Sequence, residues 1–87
     1  MTERQRQIAR HMLFGSSASK RSFRNFYVAD AKHVNFPTLV KMERAGFVSS
    51  DRGRCCWFLT RAAAESVLLP GESLDPEDFP APEVAHG

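Results

Sequence analysis

Residues 35–68 read NFPTLVKMERAGFVSSDRGRCCWFLTRAAAESVL, and most of the large apolar side chains of the 87-residue chain lie in or beside this stretch. It begins with a predicted helix. Asn35 can cap the free amides of that helix, and Pro37 suits its first turn because the fixed φ of proline is already helical. Gly46 follows where a helix needs a left-handed residue to end. Apolar residues recur between these points at helical spacing, and the opposite face carries Thr38, Lys41 and Arg44.

A β-hairpin and a short helix are predicted to follow. The apolar period changes to two at Phe47, where a strand begins. Residues 49–53, SSDRG, have the composition of a turn. Residues 55–59, CCWFL, form the predicted return strand, because aromatic side chains suit a pleated surface. Thr60 is the expected N-cap of a closing Ala-rich helix over residues 61–69.

The first third of the chain completes an α+β pattern. A helix is predicted over residues 2–14, because apolar residues form a narrow stripe along one side of it. A flexible basic loop over residues 15–22 contains Lys20 and Arg21. Residues 23–28 are predicted to form a short strand, and the rest of the segment up to residue 35 is predicted to be a loop rather than a helix.

Aromatic residues cluster in this predicted strand, and the sequence supports two interpretations of them. Phe23, Phe26 and Tyr27 lie close to Arg24, and proteins that bind single-stranded nucleic acid use such residues to stack on bases. A small domain also needs its aromatic side chains in the core, and this interpretation is favoured. Tyr27 is the best candidate for partial exposure.

Charge is distributed unevenly. Residues 1–61 contain all 12 Lys and Arg and only four of the 10 acids, and residues 62–87 contain the other six acids. A basic body with an acidic tail is typical of contact with nucleic acid or an acidic partner. It fits equally well two ends that neutralise each other for solubility. For Arg4, Arg6 and Arg10 on the first helix, a solvated face is favoured over a phosphate-facing one.

The length allows one small domain. Because the core of such a domain is modest, the sequence is compatible with a homodimer. No apolar run is long enough to cross a membrane, and the first ten residues are too polar for a signal peptide. We therefore expect a cytoplasmic location and reduced cysteines.

No pattern of catalytic or metal-binding residues is present in the sequence. Cys55 and Cys56 are adjacent, so in a strand they point to opposite faces. The histidines are scattered at positions 11, 33 and 86, whereas a zinc site needs about four ligands in spaced pairs. We expect no metal, no cofactor and no enzymatic activity.

The string LVKMERAGFVSSDRGRCCWFLTRAAAE, residues 39–65, resembles the second half of winged-helix domains. In that family a recognition helix is followed by a Gly-apolar pair, a strand, a basic wing, a second strand, and a Leu-Thr pair that opens a closing helix. Arg24-Asn25-Phe26-Tyr27 is similar to a segment of small bacteriophage and prophage proteins. The resemblance implies a winged-helix-like domain over residues 1–70, with a short strand after its first helix and an acidic, weakly ordered tail over residues 71–87. The separate helix that precedes the recognition helix in that family is missing or reduced here.

The resemblance implies duplex DNA as the partner, as expected of a phage regulatory factor acting in the host bacterial cytoplasm. The recognition helix would present Thr38, Lys41 and Arg44 to the groove. Phosphate contacts would come from Arg52 and Arg54 in the wing and from Lys20 and Arg21 in the loop.

An alternative comes from another class of function. The chain would then be a phage-encoded protein-interaction factor, for example an inhibitor of a host or defence complex of the anti-CRISPR type, since a fold does not fix a function. A virion component is a third interpretation. The candidate contacts with a protein partner are Leu74, Asp75, Glu77, Asp78 and Phe79. The sequence equally allows Leu74 and Phe79 to dock onto the body of their own chain.

Overall fold

Three helices and a three-stranded antiparallel sheet alternate along the chain in a computed structural model that describes residues 1–80. The α+β class is therefore confirmed. The elements, in chain order, are α1 (Glu3–Phe14), β1 (Tyr27–Val28), α2 (Phe36–Arg44), β2 (Val48–Asp51), β3 (Cys56–Leu59) and α3 (Arg61–Ser66).

The sheet has the strand order β1-β3-β2, so the hairpin strand β3 lies in the middle. Val48 pairs with Leu59 across the hairpin, and Trp57 pairs with both Ser50 and Tyr27. Alternation along β3 buries Trp57 and Leu59 on the face that the helices cover. The sheet is thus packed on one face, as is common for antiparallel sheets.

Trp57 lies at the centre of the core and is fully buried. Its indole N–H donates to the carbonyl of Ala29 at 3.0 Å, which satisfies the one polar group that a buried tryptophan brings. The two longer helices contribute the other large side chains that are fully buried, which are Met12, Leu13, Leu39 and Met42.

Helix caps follow the sequence with one exception. Thr2 forms a capping box with Gln5, and Thr60 accepts from the amide of Ala63, which confirms the predicted cap of α3. Gly46 follows α2 with a φ of +82°, a conformation that favours glycine. The predicted cap at Asn35 is wrong, because its side chain bonds to Arg4 and Tyr27 instead of the helix amides.

The predicted strand over residues 23–28 is shorter in the structure. The side chain of Asn25 takes both backbone positions opposite Leu59, accepting from its amide at 2.8 Å and donating to its carbonyl at 3.1 Å. Only Tyr27 and Val28 pair through the backbone. Phe23 and Phe26 are 51% and 42% exposed, so their assignment to the core is wrong, whereas Tyr27 is half-buried as expected.

The hairpin turn lies later than the sequence predicts. Residues 49–51 belong to β2, and the turn spans residues 52–55. The amide of Arg54 donates to the carbonyl of Asp51, and Cys55 has a φ of +56° in the turn rather than a strand conformation. The serines therefore pair across the sheet, because Ser49 and Ser50 stand opposite Phe58 and Trp57.

Residues 71–80 pack against the body, where the sequence predicts a weakly ordered tail. Ser22 is buried, and its hydroxyl accepts from the amide of Asp75 at 2.8 Å. The Glu72 carboxylate forms two hydrogen bonds with Arg10, at 2.7 and 2.8 Å. Phe79 is buried in the core. The remainder of the predicted tail, residues 81–87, lies outside the described residues. The closing helix α3 ends at Ser66, three residues before its predicted end.

Candidate nucleic-acid interface

The exposed face of α2 carries two cations that have no partner in the described part of the chain. Leu39 and Met42 are fully buried and fix the rotation of the helix. Lys41 and Arg44 fall on the opposite arc, where both are exposed. Their side chains form no hydrogen bond or ion pair with residues 1–80. Thr38 is half-buried at the edge of the same face.

The hairpin is attached to α2 through one carboxylate. Glu43 accepts from the hydroxyl of Ser50 on β2 and from the guanidinium of Arg52 in the turn, the latter at 2.8 Å. The hydrogen bond from Ser50, followed by that from Arg52, lowers the pKa of Glu43 below its ordinary value. The ionised form of Glu43 is therefore the form that joins helix and hairpin.

Arg52 has further partners within the chain. Its guanidinium lies 4.6 Å from the ring centroid of Trp57 and 5.4 Å from that of Phe36, within cation–π range. Arg52 Nε also donates to the hydroxyl of Ser50 at 3.1 Å. Arg52, which the sequence predicts to contact phosphate, therefore positions the hairpin on α2. Its contact with DNA stays a prediction.

Arg54 differs from Arg52 although only one residue separates them. Its side chain is 84% exposed and lies 3.8 Å from the carboxylate of Asp51. An ion pair with that geometry and exposure holds the side chain weakly. Arg54 also lines a shallow surface groove with Lys32 and Asp30, so a second cation and one acid lie near the tip of the hairpin.

The loop cations predicted to bind phosphate have neighbours elsewhere. Arg21 lies 3.6 Å from the carboxylate of Asp75, and the carbonyl of Lys20 accepts from the amide of Ser73. Both contacts are with residues 71–80. Lys41 and Arg44 thus belong to a helix that contacts the hairpin. Lys20 and Arg21 instead lie against residues 71–80.

The candidate contacts with a protein partner also include both residues that bond or pack within the chain and residues that are exposed. Phe79 is 6% exposed and belongs to the core of its own chain, and Leu74 is half-buried against that core. Asp75 pairs with Arg21 and accepts from the amide of Glu77. Among these candidates, Glu77 and Asp78 are the exposed residues.

Sequence reasoning missed the structural roles of Asn25, Asn35 and Glu72. Asn35 connects Arg4 of α1 to the hydroxyl of Tyr27 on β1. Glu72 is bonded to Arg10, and its side chain is 5% exposed. All of these partners except Asn35–Tyr27 are more than 30 positions apart in the sequence, so no local pattern could have indicated them.

Within residues 1–80, no three His, Cys, Asp or Glu side chains are grouped as metal ligands would be. Cys55 and Cys56 are both free and half-buried. Among the helices of the same range, none is both long and apolar enough to cross a membrane.

The chain was compared with protein-family models, with curated proteins and with solved structures. None of the three comparisons finds a match.

Proposed function

We propose that this chain is a small DNA-binding protein of winged-helix-like design, in which α2 is the recognition helix and the β2–β3 hairpin is the wing. The order of elements and the strand order β1-β3-β2 are compatible with that design. The observation that carries the proposal is the pair Lys41 and Arg44, exposed and without partners within residues 1–80, on a helix to which the hairpin is attached.

The contacts divide by chemistry. Lys41 and Arg44 reach out from α2 and are suited to base edges or to the phosphates that flank a groove. Arg54 extends from the wing tip as a phosphate contact. Arg52 acts through the wing, because its contacts with Glu43 and Trp57 set the position of the hairpin on the helix.

The described chain lacks a full helix between β1 and α2. Hydrogen-bonded turns connect Asp30 to His33 and His33 to Phe36 instead. Recognition in this proposal therefore depends on one helix and the wing. The role of a phage regulatory factor rests on the sequence resemblance alone.

The experiment is a fluorescence-anisotropy titration of random duplex DNA with the full chain at low and physiological salt. We expect binding that weakens steeply with salt, because Lys and Arg release counterions from the phosphates they contact. Replacing Arg54 by Ala is expected to lower the salt slope by about 0.9. The control is Thr2→Ser, which leaves charge and cap chemistry unchanged. Absence of duplex binding at low salt would contradict the proposal.

A second candidate function has its own observation. Phe23 is half exposed in a surface groove that it shares with Arg21, Asp75, Pro76 and Glu77. An apolar ring surrounded by both charge signs suits docking onto a protein. In this alternative the chain is a protein-interaction factor or inhibitor of a host complex. Two results together would establish this alternative. The chain would bind no duplex DNA, and its capture of a defined host complex would be abolished by Phe23→Ser and retained in Lys41→Gln.

A further inference from the structure

A shallow surface pocket between α1, β1 and the start of α2 is lined mainly by side chains that can donate hydrogen bonds. Its volume is about 220 Å³. The residues that line it include a guanidinium, an imidazole, a phenol and two carboxamides over one apolar side chain, and no carboxylate: Arg4, Gln7, Ile8, His11, Tyr27 and Asn35.

The hydrogen bonds of the pocket fix which atoms remain free. Arg4 can only donate, so its bond to Asn35 identifies the amide oxygen of that residue. The amide nitrogen of Asn35 then donates to the hydroxyl oxygen of Tyr27 at 2.8 Å. Because that oxygen accepts, the Tyr27 proton can be donated to a ligand. A guanidinium has five N–H groups, so Arg4 keeps further donors.

The aromatic ring of Tyr27 is held in place from two sides. The His11 ring lies edge-to-face at 6.0 Å and the His33 ring at 5.6 Å between centroids. His33 is itself fixed, because its Nδ1 accepts from the amide of Asn35 at 3.0 Å. The hydroxyl of Tyr27 is therefore positioned before any ligand arrives, which reduces the entropy cost of binding.

We propose that this pocket binds a phosphate-class oxyanion. A cation and several neutral donors, with no acid among the residues that line the pocket, complement a group that only accepts hydrogen bonds. Arginine suits this role because its planar donors match two oxygens at once. Arg4 supplies the charge, the Tyr27 hydroxyl supplies a directed donor, and Gln7 and His11 lie at the rim.

Two sources could supply this oxyanion. One is a free phosphate or phosphomonoester. The other is a phosphodiester of DNA, since Asn35 immediately precedes α2; this source rests on the proposed function. The oxyanion site itself does not depend on that function.

The test is a ¹H–¹⁵N NMR titration of the full chain with inorganic phosphate, against sodium chloride of equal ionic strength. We expect saturable shifts at the amides of Tyr27 and Asn35 that chloride does not produce. Arg4→Gln and Tyr27→Phe should each weaken phosphate binding about tenfold, because each removes a hydrogen bond to a charged group. Tyr27→Phe keeps the ring, and unchanged chemical-shift dispersion would show that both variants fold.

Arg6→Gln is the matched control. Arg6 lies on the same helix and carries the same charge, but its guanidinium contacts the carbonyl of Ser66 outside the pocket. The proposal is overturned if phosphate gives no saturable shifts, or if Arg6→Gln weakens binding as much as Arg4→Gln does.

Duplex titrations of the same variants distinguish the two sources. If Arg4→Gln lowers both phosphate affinity and the salt slope for duplex DNA, the bound group is a DNA phosphodiester. If it lowers phosphate affinity alone, the ligand is a free phosphate or phosphomonoester. Phosphate binding by a chain that binds no duplex would leave this site standing while the proposed function fails.

Discussion

Helices α1 and α2 both carry cations on their solvent sides, but the structure uses them differently. The three arginines of α1 all bond within the chain: Arg4 to Asn35, Arg6 to the carbonyl of Ser66, and Arg10 to Glu72. Lys41 and Arg44 of α2 have no side-chain partner among residues 1–80. The residue types and their helical spacing are similar, so the difference comes from what passes beside each helix.

The C-terminal segment supplies the partners of two of the three arginines of α1, Arg6 and Arg10. Ser66, Val67 and Glu72 lie beside α1, where Arg10 donates to the carbonyl of Val67 and to both carboxylate oxygens of Glu72. Among residues 1–80, no acidic side chain forms an ion pair with Lys41 or Arg44 on α2. Arg6 and Arg10 are bonded to the C-terminal segment within the fold. Arg4 bonds instead to the neutral side chain of Asn35 and keeps donors for a ligand. A cation that has no side-chain partner among residues 1–80 is available to another molecule. The following predictions test that division in order of decreasing effect on stability.

Arg10→Ala is expected to have the largest effect on stability. It leaves a carboxylate that is 5% exposed without its charged partner, and removing one member of a buried pair is strongly destabilising. Because Arg10 itself is partly exposed, we expect a loss of about 2 kcal/mol in the free energy of unfolding. Urea denaturation measures it. Arg6→Ala, which loses one exposed 3.4 Å contact, should cost about 0.5 kcal/mol or less. Equal losses in the two variants would contradict the larger stabilising role that we assign to Arg10 relative to Arg6.

The same pair predicts how stability depends on pH. The hydrogen bonds from Arg10, helped by one from the amide of Leu69, lower the pKa of Glu72 from 4.5 to about 2. A pKa that is lower in the folded state means that the ionised group stabilises the fold at neutral pH. That contribution is lost as pH falls from about 4.5 to about 2. The difference in stability between the wild type and Glu72→Gln should shrink over this interval, as followed by denaturation at each pH. A constant difference would show that the ionisation of Glu72 contributes nothing.

Arg52→Ala should have a smaller effect. It removes the stacking on Trp57 and the bond to Glu43, but the side chain is 51% exposed. Cation–π contacts at exposed sites contribute about 0.5–1 kcal/mol, so we expect a loss in that range in urea denaturation, together with a change in Trp57 fluorescence. Arg54→Ala is the matched control and should change neither measurement. The same changes in Arg54→Ala would show that Arg52 has no special role in positioning the hairpin.

Lys41→Ala and Arg44→Ala should have the smallest effect on stability. Substitutions on an exposed helix face without partners usually change the free energy of unfolding by less than about 0.5 kcal/mol. Thermal denaturation of the two variants checks this. A marked loss of stability in either one would mean that the cation contributes to the fold and is not available to a partner.

Much of the fold follows from local sequence patterns. Pro37 and Gly46 mark the limits of α2, and Thr2 and Thr60 cap their helices. The exact turn of the hairpin does not follow, because Ser49 and Ser50 have turn composition but pair with β3. The exposure of Phe23 and Phe26 does not follow either, since Asn25 occupies the strand positions opposite Leu59. These outcomes depend on residues distant in sequence.

Only part of the candidate site can be predicted from the sequence, because the rest also depends on residues distant in the chain. The exposed position of Lys41 and Arg44 is given by helical periodicity around buried Leu39 and Met42. The different roles of Arg52 and Arg54 could not be predicted, because they depend on where Glu43 and Trp57 lie in space. For Phe79, an apolar residue in an acidic segment, the sequence allows docking onto the body or onto a partner, and only the structure shows that it is buried in the chain's own core.

The most direct test of the central claim compares Lys41→Gln on α2 with Arg6→Gln on α1. The two variants have the same net charge, and each loses one exposed cation. The salt dependence of duplex binding is measured for both by fluorescence anisotropy. We predict that Lys41→Gln lowers affinity and reduces the salt slope by about 0.9, while Arg6→Gln leaves both unchanged. Equal losses in the two variants would show that net charge alone drives binding, and no loss in either would contradict a role for α2 in binding DNA.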